Sequence, residues 1–138
     1  RPVIAHVAAL KATIEALGLE VHVAHATTTA TKYVVLSVPG WDMGQEMPVC
    51  GVSDVLATDV RVKAVTGTPV GVLTMLALIR AALSPGFTAA PLTVEGRAAT
   101  TKFVRSEFVS ADTTVTITAT NRHPVQGVDT YRLVSQPA

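Results

Sequence analysis

The chain has 138 residues, of which 49% are hydrophobic and 15% charged, with a formal net charge of +1. A length of this order predicts one domain, residues 1–138, with one sizeable core. The eleven Lys/Arg and ten Asp/Glu are scattered, so nothing forms the clustered basic stripe expected of a nucleic-acid binder, and the single Cys50 excludes an intramolecular disulfide.

The hydrophobic share is more telling than the charge. One core of this size cannot hide so much Val, Leu and Ala, and the remainder is expected to be covered by other protein subunits. The apolar stretch over residues 70–83 is interrupted by Gly71, Thr74 and Arg80. It falls short of the roughly 20 residues that cross a bilayer. With no leader-like pattern in Arg1-Pro2-Val3-Ile4-Ala5-His6, the expectation is a soluble protein without a membrane partner.

In chain order, Pro2 suits the first position of a helix, and Val3, Val7, Leu10, Ile14 and Leu17 recur at steps of four and three. The spacing predicts a helix over residues 2–17, with Lys11 and Glu15 outside and Gly18 as its C-terminal cap. A short strand over 19–25 follows. The polar run Thr27-Thr28-Thr29-Ala30-Thr31 leads to a second strand over 33–38. Its consecutive Val34-Val35-Leu36 predicts cover on both faces. Residues 41–51 hold the only Trp, two Met and Pro48 without periodicity, and read as a long loop.

Residues 53–65 read as a long strand. Leu56, Thr58, Val60, Val62 and Ala64 share one face, and Asp59, Arg61 and Lys63 the other. Thr68 is a good N-cap and Pro69 a good first residue for a helix. Its core stripe is Val72, Leu76, Ile79 and Leu83, widened by Leu73 and Met75. Ser84-Pro85-Gly86 ends it. Strands are then predicted over 91–95, 100–109, 113–120 and 128–135, with Gly96 as a bend and residues 121–127 as a connection. Helices and strands are segregated, which predicts an α+β fold: a mainly antiparallel β-sheet packed against two α-helices.

Chemistry is sparse. His22 and His25 fall on opposite faces of a strand and cannot share a metal, while His6 and His123 read as ordinary, partly exposed histidines. Asp54 and Asp59 also have opposite parity. Cys50 reads as a small apolar residue. Gly67-Thr68-Pro69-Val70-Gly71 lacks the Lys-Ser/Thr of a phosphate loop and reads as a turn into a helix. No catalytic, cofactor or metal site is expected. Arg61, Lys63, Lys102 and Arg105 would lie on polar strand faces, toward DNA or acids of a neighbouring subunit; a solvated or intersubunit face is the simpler reading, because aromatics that would stack on bases are few. Long loops tend to be functional, and Trp and Met favour contact surfaces. Trp41, Asp42, Met43, Gln45 and Met47 are therefore candidate contacts, the alternative being that Trp41 folds back on its own sheet.

The succession of segments resembles the tail terminator proteins of long-tailed bacteriophages. An amphipathic helix leads to Tyr33-Val34-Val35-Leu36-Ser37-Val38. A long strand with Val60-Arg61-Val62-Lys63-Ala64-Val65 then runs through Thr66-Gly67-Thr68-Pro69 into a helix ending Leu78-Ile79-Arg80-Ala81-Ala82-Leu83. A β region closes with Asp129-Thr130-Tyr131-Arg132-Leu133-Val134. The resemblance is one of layout and carries no diagnostic motif. It implies a structural, non-enzymatic virion protein at the tail–neck junction. Its partners would be copies of itself in a six-subunit ring, the tail tube protein, a head–tail connector or stopper, and DNA passing through a central channel. A head–tail stopper or tube protein is the near alternative. A small-ligand binder on a compact α+β barrel is the distant one, with His22, His25 and Tyr131 as its polar groups.

Overall fold

The computed structural model describes residues 2–23, 32–38, 56–109 and 125–137. Helix α1 spans Pro2–Glu15, strand β1 Val21–Val23, β2 Tyr33–Ser37 and β3 Leu56–Thr66. Helix α2 spans Pro69–Leu83 and runs into a 3₁₀ turn at Pro85–Phe87. Strands β4 (Ala90–Val94), β5 (Arg97–Val109) and β6 (Val125–Pro137) complete one six-stranded sheet in the order β1-β2-β3-β6-β5-β4. Among the described strands only the β1–β2 pair is parallel. The α+β expectation with a mainly antiparallel sheet holds.

Each element follows from local rules. Helix α1 ends two residues earlier than its apolar spacing suggests. Its last turn tightens through Leu17 N–H to Ile14 O and Gly18 N–H to Glu15 O, both 3.0 Å, and Gly18 takes a φ of +84° that a side chain would resist. The inward stripe of α1 is also rotated from the expected one. His6, Leu10 and Ile14 are buried, whereas Val7 is half-buried. For α2 the Thr68 hydroxyl accepts the Gly71 N–H at 3.1 Å, with Pro69 at the first position, as the sequence indicates. Residues 67–71 are thus a capped helix start.

Strand β3 alternates as expected: Thr58, Val60, Val62 and Ala64 are buried, Arg61 exposed, Asp59 and Lys63 half-buried. Val34, Val35 and Leu36 are all buried, as their unbroken apolar run requires. Strand β5 begins at Arg97 rather than residue 100, because Glu95-Gly96 closes a two-residue hairpin with β4. Strand β6 begins at Val125, three residues before the expected start, so Gly127 lies inside a strand instead of a connection. A bulge between Phe103 and Arg105 shifts the β5–β6 register, so that Arg105 joins the outward face of Lys102. The expected loop over 41–51 and strand over 113–120 lie outside the described residues.

Both helices cover one face of the sheet. Val34, Leu36, Val60, Val62, Leu92, Ala99, Tyr131 and Leu133 meet Leu10, Ile14, Val72, Met75, Leu76, Ile79 and Leu83 in one core. Each large side chain so buried contributes about 1.5–3 kcal/mol relative to exposure. Helix α1 touches both edge strands, β1 and β4. Fourteen residues of helix are about 21 Å long, and six strands at ~4.8 Å span about 24 Å, so the sheet curls around the helix.

Candidate functional site

Strand pairing puts Arg61, Lys63, Lys102 and Arg105 on one surface, the sheet face turned away from the helices. In cross-strand register, Arg61, Thr130 and Arg105 form one row, and Asp59, Arg132 and Lys102 the next; Lys63, Val128 and Glu107 form the row on the other side. The fifth cation, Arg132, gives little signal in the sequence, where it stands between two apolar residues. Two ion pairs cross this face: Arg132 Nη1 to Asp59 Oδ1 at 3.2 Å and Arg105 Nε to Glu107 Oε1 at 3.3 Å. Both are well exposed, which limits each to under about 1 kcal/mol. Among the described residues Arg61, Lys63 and Lys102 have no ion pair.

The opposite side of the molecule carries a different surface. Helix α2 has one charged residue, Arg80, and turns Val70, Leu73, Thr74, Ala77, Leu78 and Ala81 outward. Val70 is 72% exposed, Leu73 59% and Leu78 46%. Leu73, expected in the core stripe, is therefore outside it: Val72, Met75, Leu76, Ile79 and Leu83 already fill the buried arc. The one hydroxyl in this face, Thr74 Oγ1, is satisfied by the Val70 carbonyl at 2.8 Å and asks nothing of solvent. Beyond the helix, Phe87 holds a φ of +62° and is 58% exposed. A bulky residue takes that conformation at a cost of order 1 kcal/mol. Its ring leans on Phe103 at 5.4 Å and rims a notch of about 200 Å³ with Ala77, Arg80, Ala81, Ser84 and Gly86. That volume is below the roughly 300 Å³ at which small-molecule pockets begin.

Beneath the notch is a buried polar cluster that the sequence did not reveal. Asp129 is fully buried, accepting from Arg80 Nη2 at 2.9 Å and Nε at 3.3 Å and from the Tyr131 hydroxyl at 3.1 Å. The Arg80 guanidinium stacks 4.6 Å from the Phe103 ring centroid. Burial, then the neighbouring Asp129 charge, pushes the Tyr131 hydroxyl far above its usual titration range, with Arg80 opposing. The signal was available: Arg80 interrupts an apolar helix, and β6 alternation gives Asp129 the inward parity of Tyr131 and Leu133. Tyr131 is therefore a core residue, not a pocket group.

The other sequence candidates disperse. His6 is fully buried, against expectation, and shares a 2.6 Å hydrogen bond with Ser135 Oγ. Arg97 Nε donates to the same oxygen at 2.9 Å. His22 lies on the outer face, 3.1 Å from Glu20 and edge-on to Tyr33. Among the described residues no three His, Cys, Asp or Glu side chains gather as metal ligands, and no helix is long and apolar enough to cross a membrane. Trp41, Asp42, Met43, Gln45, Met47, His25, Cys50, Asp54 and His123 lie outside the described residues.

No family model matches the sequence, and no curated protein matches it closely. The fold does have a solved counterpart. A chain in the virion of a native gene transfer agent particle superposes with a TM-score of 0.60 at 16% identity, covering 91% of this chain and 83% of that one. At that identity the likeness is one of fold.

Proposed function

We propose that this chain is a structural subunit of a phage-like virion, and specifically a tail terminator: a ring at the tail–neck junction that caps the tail tube, stops its growth and joins it to the head connector. The outward face of α2 carries the reading. A helix with a single charge and Val70, Leu73 and Leu78 in solvent is a surface made to be covered, and the fold shared with a virion chain supplies the setting. The covering partner in this reading is a neighbouring copy. A closed ring needs one surface of each subunit to meet a different surface of the next.

The face is not sufficient alone. Fifteen helical residues offer a strip about 22 Å by 10 Å, about a quarter of the ~800 Å² that a stable interface takes from each partner. Trp41, Asp42, Met43, Gln45 and Met47 are proposed to supply further contact to a neighbour or to the tube. The action is mechanical: one axial face matches the last tube ring without offering a further copy of the tube's own surface, and the other accepts the connector.

The test is size-exclusion chromatography with light scattering over a range of concentrations, alone and with tail tubes, comparing the protein with Leu73→Lys. Leu73 is exposed, so the substitution leaves folding nearly untouched while setting a charge in the contact. A closed oligomer that the variant dissociates is the expected result. A protein that stays monomeric throughout, tubes included, sinks the reading.

A further inference from the structure

Cations dispersed along the sequence become neighbours once the strands pair. Among the described residues, the outer face of β3, β6 and β5 holds Arg61, Lys63, Lys102, Arg105 and Arg132 against Asp59 and Glu107, a local +3 on a chain of +1 overall, with Glu20 beside His22 at the β1 margin. The rest of the chain therefore sums to −2. We propose that this face contacts the phosphate backbone of a nucleic-acid duplex without reading its sequence. The duplex is the polyanion that the ring reading brings past the subunit, and to that extent the inference rests on it.

Four observations favour phosphate over other partners. First, Arg61, Lys63 and Lys102 have no ion pair among the described residues, so their charge is not already spent internally. Second, exposed Thr100 and Gln136 lie near them on the same face, short polar groups of the kind that contact backbone oxygens. Third, the dimensions fit. Three adjacent strands span about 10 Å and the three charged rows about 13 Å. A duplex carries one charge per ~1.7 Å of axis with both strands counted, about eight phosphates around that length, so the few on the near side match the unpaired cations in number.

Fourth, the shape excludes base reading. The major groove admits a helix or a two-stranded ribbon, and the central strands of a six-stranded sheet cannot enter it. Tyr33 is the one aromatic on this face among the described residues, at its margin beside His22, so the described charged rows hold no ring for unpaired bases to stack on. An acidic protein surface is the competing partner. The exposed apolar strip lies on α2, however, and among the described residues the large apolar side chains well exposed on the sheet face are Val134 and Val104.

The experiment is fluorescence anisotropy with two labelled duplexes of about 20 base pairs and unrelated sequence, titrated at several salt concentrations. Equal affinity for both is expected, with log K falling against log salt at a slope near −3 for about three neutralised phosphates. The double variant Arg61→Ala/Lys102→Ala should bring that slope to about −1 and weaken binding at low salt about tenfold or more, with its thermal unfolding unchanged. No binding at low salt, or a double variant that binds like the parent, overturns the proposal. So does a polyglutamate peptide that competes as well as DNA per unit charge, which would assign the face to an acidic protein. Light scattering on the same samples separates the two readings. Rings that ignore DNA defeat this inference alone, and a monomer that binds DNA defeats the ring alone.

Discussion

At the scale of single residues, the most consequential group is Asp129, a carboxylate with no solvent contact, held by Arg80 and Tyr131. The two members of the ion pair are not equally placed, since the Arg80 side chain is 26% exposed and Asp129 is not exposed at all. Removing one partner of a buried pair strands the other charge. Arg80→Ala should therefore cost about 3–5 kcal/mol, and Asp129→Ala less, because a stranded Arg80 can reach water. Denaturant unfolding of both single variants and the double variant measures this, and the double should cost less than the sum. Tyr131 adds a pH dependence. Its folded titration point is raised above the ordinary 10.0, so the stability it contributes is complete below pH 10. As pH rises past that point the unfolded chain ionises first and stability is lost. Thermal unfolding above pH 10 should fall less steeply in Tyr131→Phe than in the parent.

Among the elements, α2 is fixed at both ends and along one face. Thr68 caps its start, and at its end the Thr101 hydroxyl donates to the Leu83 carbonyl at 2.7 Å while Ser84 Oγ accepts the Phe103 N–H at 3.0 Å. Between the ends the helix lies directly on the backbone of β6. A Cβ placed at Gly127 would stand 2.5 Å from Val72 Cγ1 and 2.9 Å from Leu76 Cδ1. Gly127→Ala should thus destabilise by about 1–3 kcal/mol through overpacking. An unchanged unfolding midpoint would mean that the helix has room to move away. From sequence, Gly127 falls in a connection, since glycine ordinarily marks turns. Within a strand it marks a close approach instead, and only the helix on top of it distinguishes the two. Helix α1 shows the same limit: its period was legible, but the packing of His6 against Ser135 decided which residues face inward.

For the whole molecule, the two outer surfaces differ in kind and should answer oppositely to salt. The α2 face is apolar, and its burial strengthens as sulfate is added. The sheet face is basic, and its attraction to a polyanion is screened within about 10 Å at 0.1 M salt. Raising ammonium sulfate should therefore stabilise any ring while releasing duplex DNA, read by light scattering and anisotropy on one sample. If both respond in the same direction, one surface has been given the wrong partner. Both surfaces were half legible. The surplus of apolar residues implied something left uncovered, and strand parity put Arg61 and Lys63 on a polar face.

Local chemistry, written in the order of residues, determined the helical period of both helices, the Thr68 cap, the alternation of β3 and the segregation of helices from strands that defines an α+β chain. Those features depend on neighbours a few positions away, which a sequence displays. The tertiary structure alone decided which strands pair, that Arg132 joins four distant cations, that Asp129 finds Arg80 and that Leu73 faces solvent. Each of these depends on register between segments tens of residues apart. Register is set by how side chains fill a shared interior, and the linear order of residues does not contain that.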